Sequence, residues 1–303
     1  MKNNLPEILF ITSYPPRECG IATYSQDLFK ALNNKFENSF AIKICALEAG
    51  ISTNTYPDEV NYILDTTNPE EYLRMAQTIN SNTRIKAVLI QHEFGFFETV
   101  TEEIFLQFIS VITKPVAIGF HTVLPNPDEL LKLKIKHIAV VCESVIVMTN
   151  NSAQILINDY AIPENKISVI AHGTHLVKHL NKDFLKEKYN LKGKKILSTF
   201  GLLSSGKSIE TTLQALPAIV QTNPDVMFLA LGKTHPGVFK YEGEKYRDML
   251  ETKVEELGLQ NNVRFINHYL YLQELLEYLQ LTDIYLFTSK DPNQAVSGTF
   301  AYA

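Results

Sequence analysis

The chain has 303 residues, a formal net charge of -5, 45% apolar residues and 20% charged residues. That is a globular composition long enough for two α/β domains, and the slightly acidic balance gives no reason to expect nucleic acid as a partner. Its three cysteines, Cys19, Cys45 and Cys142, are odd in number and lack paired metal-ligand spacing, which fits a reducing cytosol better than a disulfide framework.

In chain order, Ile8–Ile11 reads as a buried strand that runs into Ser13-Tyr14-Pro15-Pro16-Arg17-Glu18-Cys19-Gly20. The two prolines forbid helix, and Gly20 lets a ligand approach the backbone without a Cβ in the way. A helix is predicted from near Ala22, with Tyr24, Leu28, Phe29 and Leu32 on its sheet-facing side and its first N–H groups turned toward the glycine. Two readings stand for this turn: a cradle for an anion or phosphate, and an ordinary strand-to-helix connection. Cys19 sits within it, either as a functional thiol or as a structural residue.

Further strands are predicted at Phe40–Leu47, Ala87–Gln91, Val116–Phe120, Val145–Met148 and Ile167–Ile170. Their alternation with helical stretches argues for a parallel sheet covered on both faces. Two of these strands end on histidine loops, His92-Glu93-Phe94-Gly95 and His121-Thr122. A histidine just past a central strand can bond a sugar hydroxyl or share a proton at neutral pH; a strand-end structural role is the alternative. Lys132, Lys134, Lys136 and His137 then form a small basic cluster, read either as a solvated helix face or as a weak membrane-docking patch.

A lysine-rich stretch without a clear strand follows, and the domain boundary is placed near residues 180 to 193, dividing the chain into 1–182 and 183–303. The rhythm then restarts: strand Ile196–Phe200 leads through Gly201-Leu202-Leu203-Ser204-Ser205-Gly206-Lys207 into a helix carrying Ile209, Leu213, Leu216 and Val220. Strands Met227–Leu231, Val263–Ile266 and Ile284–Thr288 alternate with further helices. Glu244 and Arg247, after His235-Pro236-Gly237, read as ligand contacts or as solvated first-turn charges. Lys207 adds a positive charge to a helix N-terminus, which suits a diphosphate leaving group, although a solvated side chain would have the same spacing. No two aspartates are separated by one residue, so the usual metal-diphosphate clamp is missing and no metal is expected.

Taken together, PPRECGIATYSQDL, QHEFG, FHT, ISVIAHGT, FGLLSSGKSIE with LQALP, and DPNQAVSGTFAYA resemble the family 4 glycosyltransferases, along essentially the whole chain. The resemblance implies the GT-B fold: two Rossmann-like α/β domains facing across a cleft. It implies metal-free, retaining transfer of a hexose, mannose or glucose, from a nucleotide-diphosphate sugar to a saccharide or lipid-linked hydroxyl. By the same resemblance Gly20 lies against the donor diphosphate and acceptor, His121 contacts the donor sugar, and Lys207 beside Gly206 binds the diphosphate. Ser297, Gly298 and Thr299 hold phosphate by backbone N–H groups, and Cys19, Ile21, His92 and Glu93 lie on the acceptor side.

The chain departs from the family's pattern in two places. Leu202, Leu203, Ser204 and Ser205 occupy the interval where the family has an arginine, and the family's two glutamates are matched by Gln294 and Tyr302. Tyr302 resembles the glycogen synthase version, and Asp291 is the alternative to Gln294 if the loop shifts. Ala303 falls inside a small-residue helical beginning, so the second domain is expected to be incomplete, with an unpaired sheet edge and low solubility. No apolar run approaches the roughly 18 residues that cross a bilayer, and Met1-Lys2-Asn3-Asn4 lacks a signal-peptide apolar region. The expected location is cytoplasmic, with peripheral contact at the inner membrane face. A nucleotide-sugar epimerase or phosphorylase of the same fold and a non-catalytic nucleotide-sugar binding protein are the alternatives.

Overall fold

Seven parallel strands in the order β3-β2-β1-β4-β5-β6-β7 form the first of two sheets in the computed structural model of the chain, which describes residues 5–37, 39–50, 54–97, 102–175, 177–290 and 297–302. The chain divides into two compact units, Met1–His172 and Gly173–Pro292 with Ser297–Ala303, so the break falls directly after His172, ahead of the lysine-rich stretch.

The first unit runs β1 (Glu7–Thr12), α1 (Gly20–Phe36), β2 (Ala41–Glu48), β3 (Val60–Asp65), α2 (Pro69–Ser81), β4 (Ile85–His92), α3 (Glu102–Val111), β5 (Val116–Phe120), α4 (Glu129–Val141), β6 (Ser144–Val147), α5 (Asn150–Asn158) and β7 (Ile167–Val169). Its central strands are nearly continuous apolar runs because both faces are covered. Successive residues of β1 serve opposite cores: Phe10 joins Ile42 and Ile44 under Leu28, Phe29 and Leu32 of α1, whereas Leu9 and Ile11 face Cys45, Val88 and Ile118. Strand β3 has no counterpart among the predicted strands. It is a half-exposed edge strand in which Asn61 and Asp65 interrupt the apolar run and Ile63 faces solvent.

The second unit runs α6 (Lys182–Lys188), β8 (Lys195–Phe200), α7 (Ile209–Thr222), β9 (Val226–Leu231), α8 (Pro236–Glu242), α9 (Lys245–Glu256), β10 (Val263–Ile266), α10 (Leu272–Leu281), β11 (Ile284–Tyr285) and α11 (Gly298–Tyr302), with four parallel strands in the order β10-β9-β8-β11. Phe228 and Ala230 of β9 pack toward α7 and α9, and Met227 and Leu229 toward α6 and α10. The lysine-rich stretch contains a helix, α6, capped by Asn181 and anchored by the buried Leu185. Its lysines are paired: Lys182 and Lys186 reach Asp283 at 3.1 and 2.7 Å, and Lys188 pairs with Glu277. The last strand is shorter than predicted. After Leu286, whose N–H still bonds the Ser198 carbonyl, the chain leaves the sheet and Thr288 Oγ1 donates to the carbonyl of Lys207.

Candidate functional site

In each sheet the strand order reverses once, between β1 and β4 in the first unit and between β8 and β11 in the second. Loops at the carboxyl ends of strands flanking such a reversal diverge and leave a crevice, the usual ligand site of open parallel sheets. The glycine, histidine and lysine loops singled out above all follow strands at or beside these reversals.

In the first unit α1 begins at Gly20, two residues ahead of the predicted start, because Cys19 is its N-cap: Sγ accepts from the Ala22 N–H at 3.3 Å and lies 3.3 Å from Ser13 Oγ. The thiol is therefore engaged as a cap. Among the described residues no group takes the first-turn N–H groups of Gly20 and Ile21, and a Cβ on Gly20 would meet nothing within 4 Å. The Ile21 side chain packs on the core, so what it offers outward is its backbone.

His92 departs from the acceptor-side expectation. Its ring is buried in a cage of Phe94, Phe97, Phe105 and Phe120, with Nδ1 unpartnered, and burial, reinforced by His121, lowers its pKa to about 3. It is a neutral core residue that supplies its carbonyl to the His121 N–H at 3.1 Å. Glu93 closes the same loop, accepting from the Phe94 N–H at 3.0 Å and from Thr122 Oγ1 at 2.7 Å, while burial raises its carboxyl pKa.

His121 sits half-buried at the end of β5, with Nε2 2.8 Å from Gln91 Oε1. Burial, with His172 as the second cause, lowers its pKa to about 4, so the ring is neutral at physiological pH. Tyr24 packs edge-on against it at 5.0 Å and lies 5.2 Å from His172. Tyr24 is thus a wall of the histidine site, where helical spacing had assigned it to the sheet-facing stripe. Neither it nor Gln91 stood among the candidate site residues.

In the second unit, Gly201 follows β8 with φ +138° and Gly232 follows β9 with φ +126°. A Cβ on Gly201 would lie 3.2 Å from Lys207 Nζ and 3.3 Å from Thr299 Cγ2, so the lysine and the start of α11 converge on this glycine. Burial lowers the Lys207 pKa, and no carboxylate among the described residues pairs with it. The turn below it is fastened by the Lys290 N–H to the Gly206 carbonyl at 3.0 Å, and Ser208 leaves it in the left-handed region at φ +50°. Tyr246 Oη accepts from the first N–H of α7, on Ile209, and donates to Glu210.

Ser297 Oγ caps α11 through the Phe300 N–H at 3.3 Å and lies 3.0 Å from Thr299 Oγ1; Gly298 is the helix's first residue. The Tyr302 ring stacks on His175 at 5.7 Å. Gln294 and Asp291 lie outside the described residues. Arg247 is not solvated: it is 2% exposed, donates from Nη2 to the Gly232 carbonyl at 2.9 Å, and pairs with Glu244 at 3.4 Å, while its Nε and Nη1 make no hydrogen bond among the described residues. Among the described residues no three His, Cys, Asp or Glu side chains cluster as metal ligands, and no helix is long and apolar enough to cross a membrane.

Both units carry the parallel α/β architecture of the GT-B glycosyltransferases, and residues 181–298 match the family model described as Glycosyl transferases group 1. A glycosyltransferase from Rickettsia africae is 17% identical with a TM-score of 0.68, over 95% of this chain and 74% of that one. HepE of Anabaena, solved with UDP and glucose, is 14% identical with a TM-score of 0.66, over 94% and 75%. Sucrose-phosphate synthase from Thermosynechococcus elongatus is 14% identical with a TM-score of 0.65, over 93% and 75%. At these identities the likeness defines the fold. No curated protein matches the chain.

Proposed function

We propose that the protein is a metal-independent glycosyltransferase that moves a hexose from a nucleotide-diphosphate sugar to a hydroxyl of a saccharide or lipid-linked acceptor, with retention of configuration. The observation that carries this reading is the half-buried ammonium of Lys207, held without a carboxylate partner among the described residues beside a glycine with φ +138°, where its sheet reverses order. A half-buried cation there favours an anionic ligand, and a diphosphate supplies one whose negative charge grows on bond cleavage. The match to the glycosyl transferases group 1 family lies in the same unit, and HepE's complexes with UDP and glucose support a UDP-sugar as the first donor to test.

In this reading Lys207 neutralises the leaving diphosphate, with Gly206, Ser297, Gly298 and Thr299 around it. Gln294 and Tyr302 complete the donor side. His121 bonds a hydroxyl of the transferred sugar, and Gly20 leaves room for ligand against the first N–H groups of α1. The leaving phosphate takes the acceptor proton, so no separate protein base is required.

The protein acts in the cytoplasm, with weak peripheral contact at the inner membrane face through α4. Leu130, Leu133 and Val140 are exposed there, and Lys134 and Lys136 lie on the same helix. Release of nucleoside diphosphate from one sugar donor, insensitive to chelator, tests the assignment. Donor binding without release across a broad acceptor panel would mark a binding protein instead, and a strict manganese requirement would overturn metal independence.

A further inference from the structure

We infer that Gln91 is a positioning residue that fixes the tautomer of His121, holding the proton on Nε2 so that Nδ1 is presented as a hydrogen-bond acceptor to a ligand hydroxyl. The inference rests on the proposed contact between His121 and a sugar, and it adds which ring nitrogen makes that contact and what kind of group it accepts.

The geometry starts in the sheet. Gln91 of β4 is in register with Gly119 of β5, two residues before His121. The Gln91 side chain, 2% exposed, crosses the neighbouring strand, and its Oε1 would lie 2.8 Å from a Cβ at position 119. A Cβ there would push the amide off this path. The path ends 2.8 Å from His121 Nε2. An amide oxygen accepts and cannot donate, so the nitrogen facing it carries the hydrogen.

The ring is neutral, because burial and His172 depress its pKa to about 4, and a neutral imidazole has one N–H. With that hydrogen on Nε2, Nδ1 keeps a lone pair, and no described residue bonds it. The ring is held from other sides as well: its backbone N–H bonds the His92 carbonyl, and Tyr24 stands edge-on to it at an interplanar angle of 84°. The titratable groups around it are Tyr24 from α1, His92 from β4, Glu93 through Thr122, and His172 from the segment after β7. A lone pair in this position bonds a hydroxyl and repels an anionic phosphate oxygen. His121 therefore suits a sugar hydroxyl and not a phosphate.

The test is long-range proton–nitrogen NMR of histidine-labelled full-length protein, read beside steady-state kinetics. The wild-type chain is expected to show His121 with its proton on Nε2. Gln91→Leu is expected to lose that fixed tautomer and to lower kcat/KM at least tenfold. Gln91→Glu keeps an acceptor for the Nε2 proton but stabilises the protonated ring, so the low-pH limb of the turnover profile moves to higher pH.

A proton on Nδ1 in the wild-type chain would overturn the inference. So would a Gln91→Glu profile superimposable on wild type, which also serves if Gln91→Leu fails to fold. If His121→Ala turned over as wild type does, the sugar contact would fall while the tautomer measurement still judged Gln91. The two failures are therefore separable.

Discussion

Gly232 packs directly against the peptide of Gly201: a Cβ on Gly232 would approach the Gly201 carbonyl oxygen to 2.3 Å. The two strand-end glycines hold the loops after β8 and β9 together, and the buried Arg247 fixes the second by bonding its carbonyl. The site around Lys207 is built on this contact, because the Gly201 backbone is also what Lys207 Nζ and Thr299 lie against.

Gly232→Ala should therefore damage both stability and the site. It adds a methyl where backbone already stands, at a φ of +126° that L residues rarely adopt. Such a substitution costs more than about 1 kcal/mol. Chemical denaturation should show this loss, and donor affinity should fall with it.

Gly20→Ala is the contrasting case. The position has ordinary helical φ, and its Cβ would meet nothing within 4 Å, so alanine should leave stability unchanged or raise it by up to about 1 kcal/mol. If a ligand lies against this backbone, the same methyl occupies its space. Turnover is then expected to fall while the melting temperature holds or rises. Full activity in the alanine variant would remove Gly20 from the site.

His92 and His121 make the fold acid-sensitive. Burial holds the two rings neutral, with pKa values of about 3 and about 4 against an ordinary 6.5. Below pH 6.5 the unfolded chain takes up protons that the folded chain refuses, so stability is full above that pH and falls as pH drops through 6.5 toward 4. His92→Phe removes one of these groups and its unpartnered Nδ1 from an aromatic cage. Unfolding free energy measured across pH 4 to 7 should then decline less steeply with acidification than in wild type. An unchanged slope would mean that His92 is protonated in the folded protein.

Strand–helix alternation in the apolar runs gave nearly all of the sheet order's raw material, and Val116–Phe120 and Val263–Ile266 match their predicted bounds. The edge strand β3 was illegible because an exposed strand carries polar residues on its open side. Tyr24 fits the helical apolar stripe by spacing, yet its ring turns to His121, a choice made by tertiary packing. Gln91 and Gly119 are two unremarkable residues in sequence. Their meaning appears once register sets them side by side. For Arg247, charge at a helix start left a ligand contact and a solvated side chain as the two readings, and burial against a carbonyl and Glu244 removes the second. Lys207 stood out because a lysine beside glycine at a strand-to-helix turn is legible locally.

Whether Lys207 holds the diphosphate of a nucleotide sugar is read from nucleoside diphosphate release across a panel of donors. Loss of a charge-assisted bond to phosphate costs about 1.5–3 kcal/mol, roughly 10- to 150-fold. The wild-type chain is expected to release nucleoside diphosphate from one donor, and Lys207→Ala to lower that release by at least this factor with its melting temperature preserved. No release from any donor, or equal release from the Lys207→Ala variant, would contradict this role of Lys207.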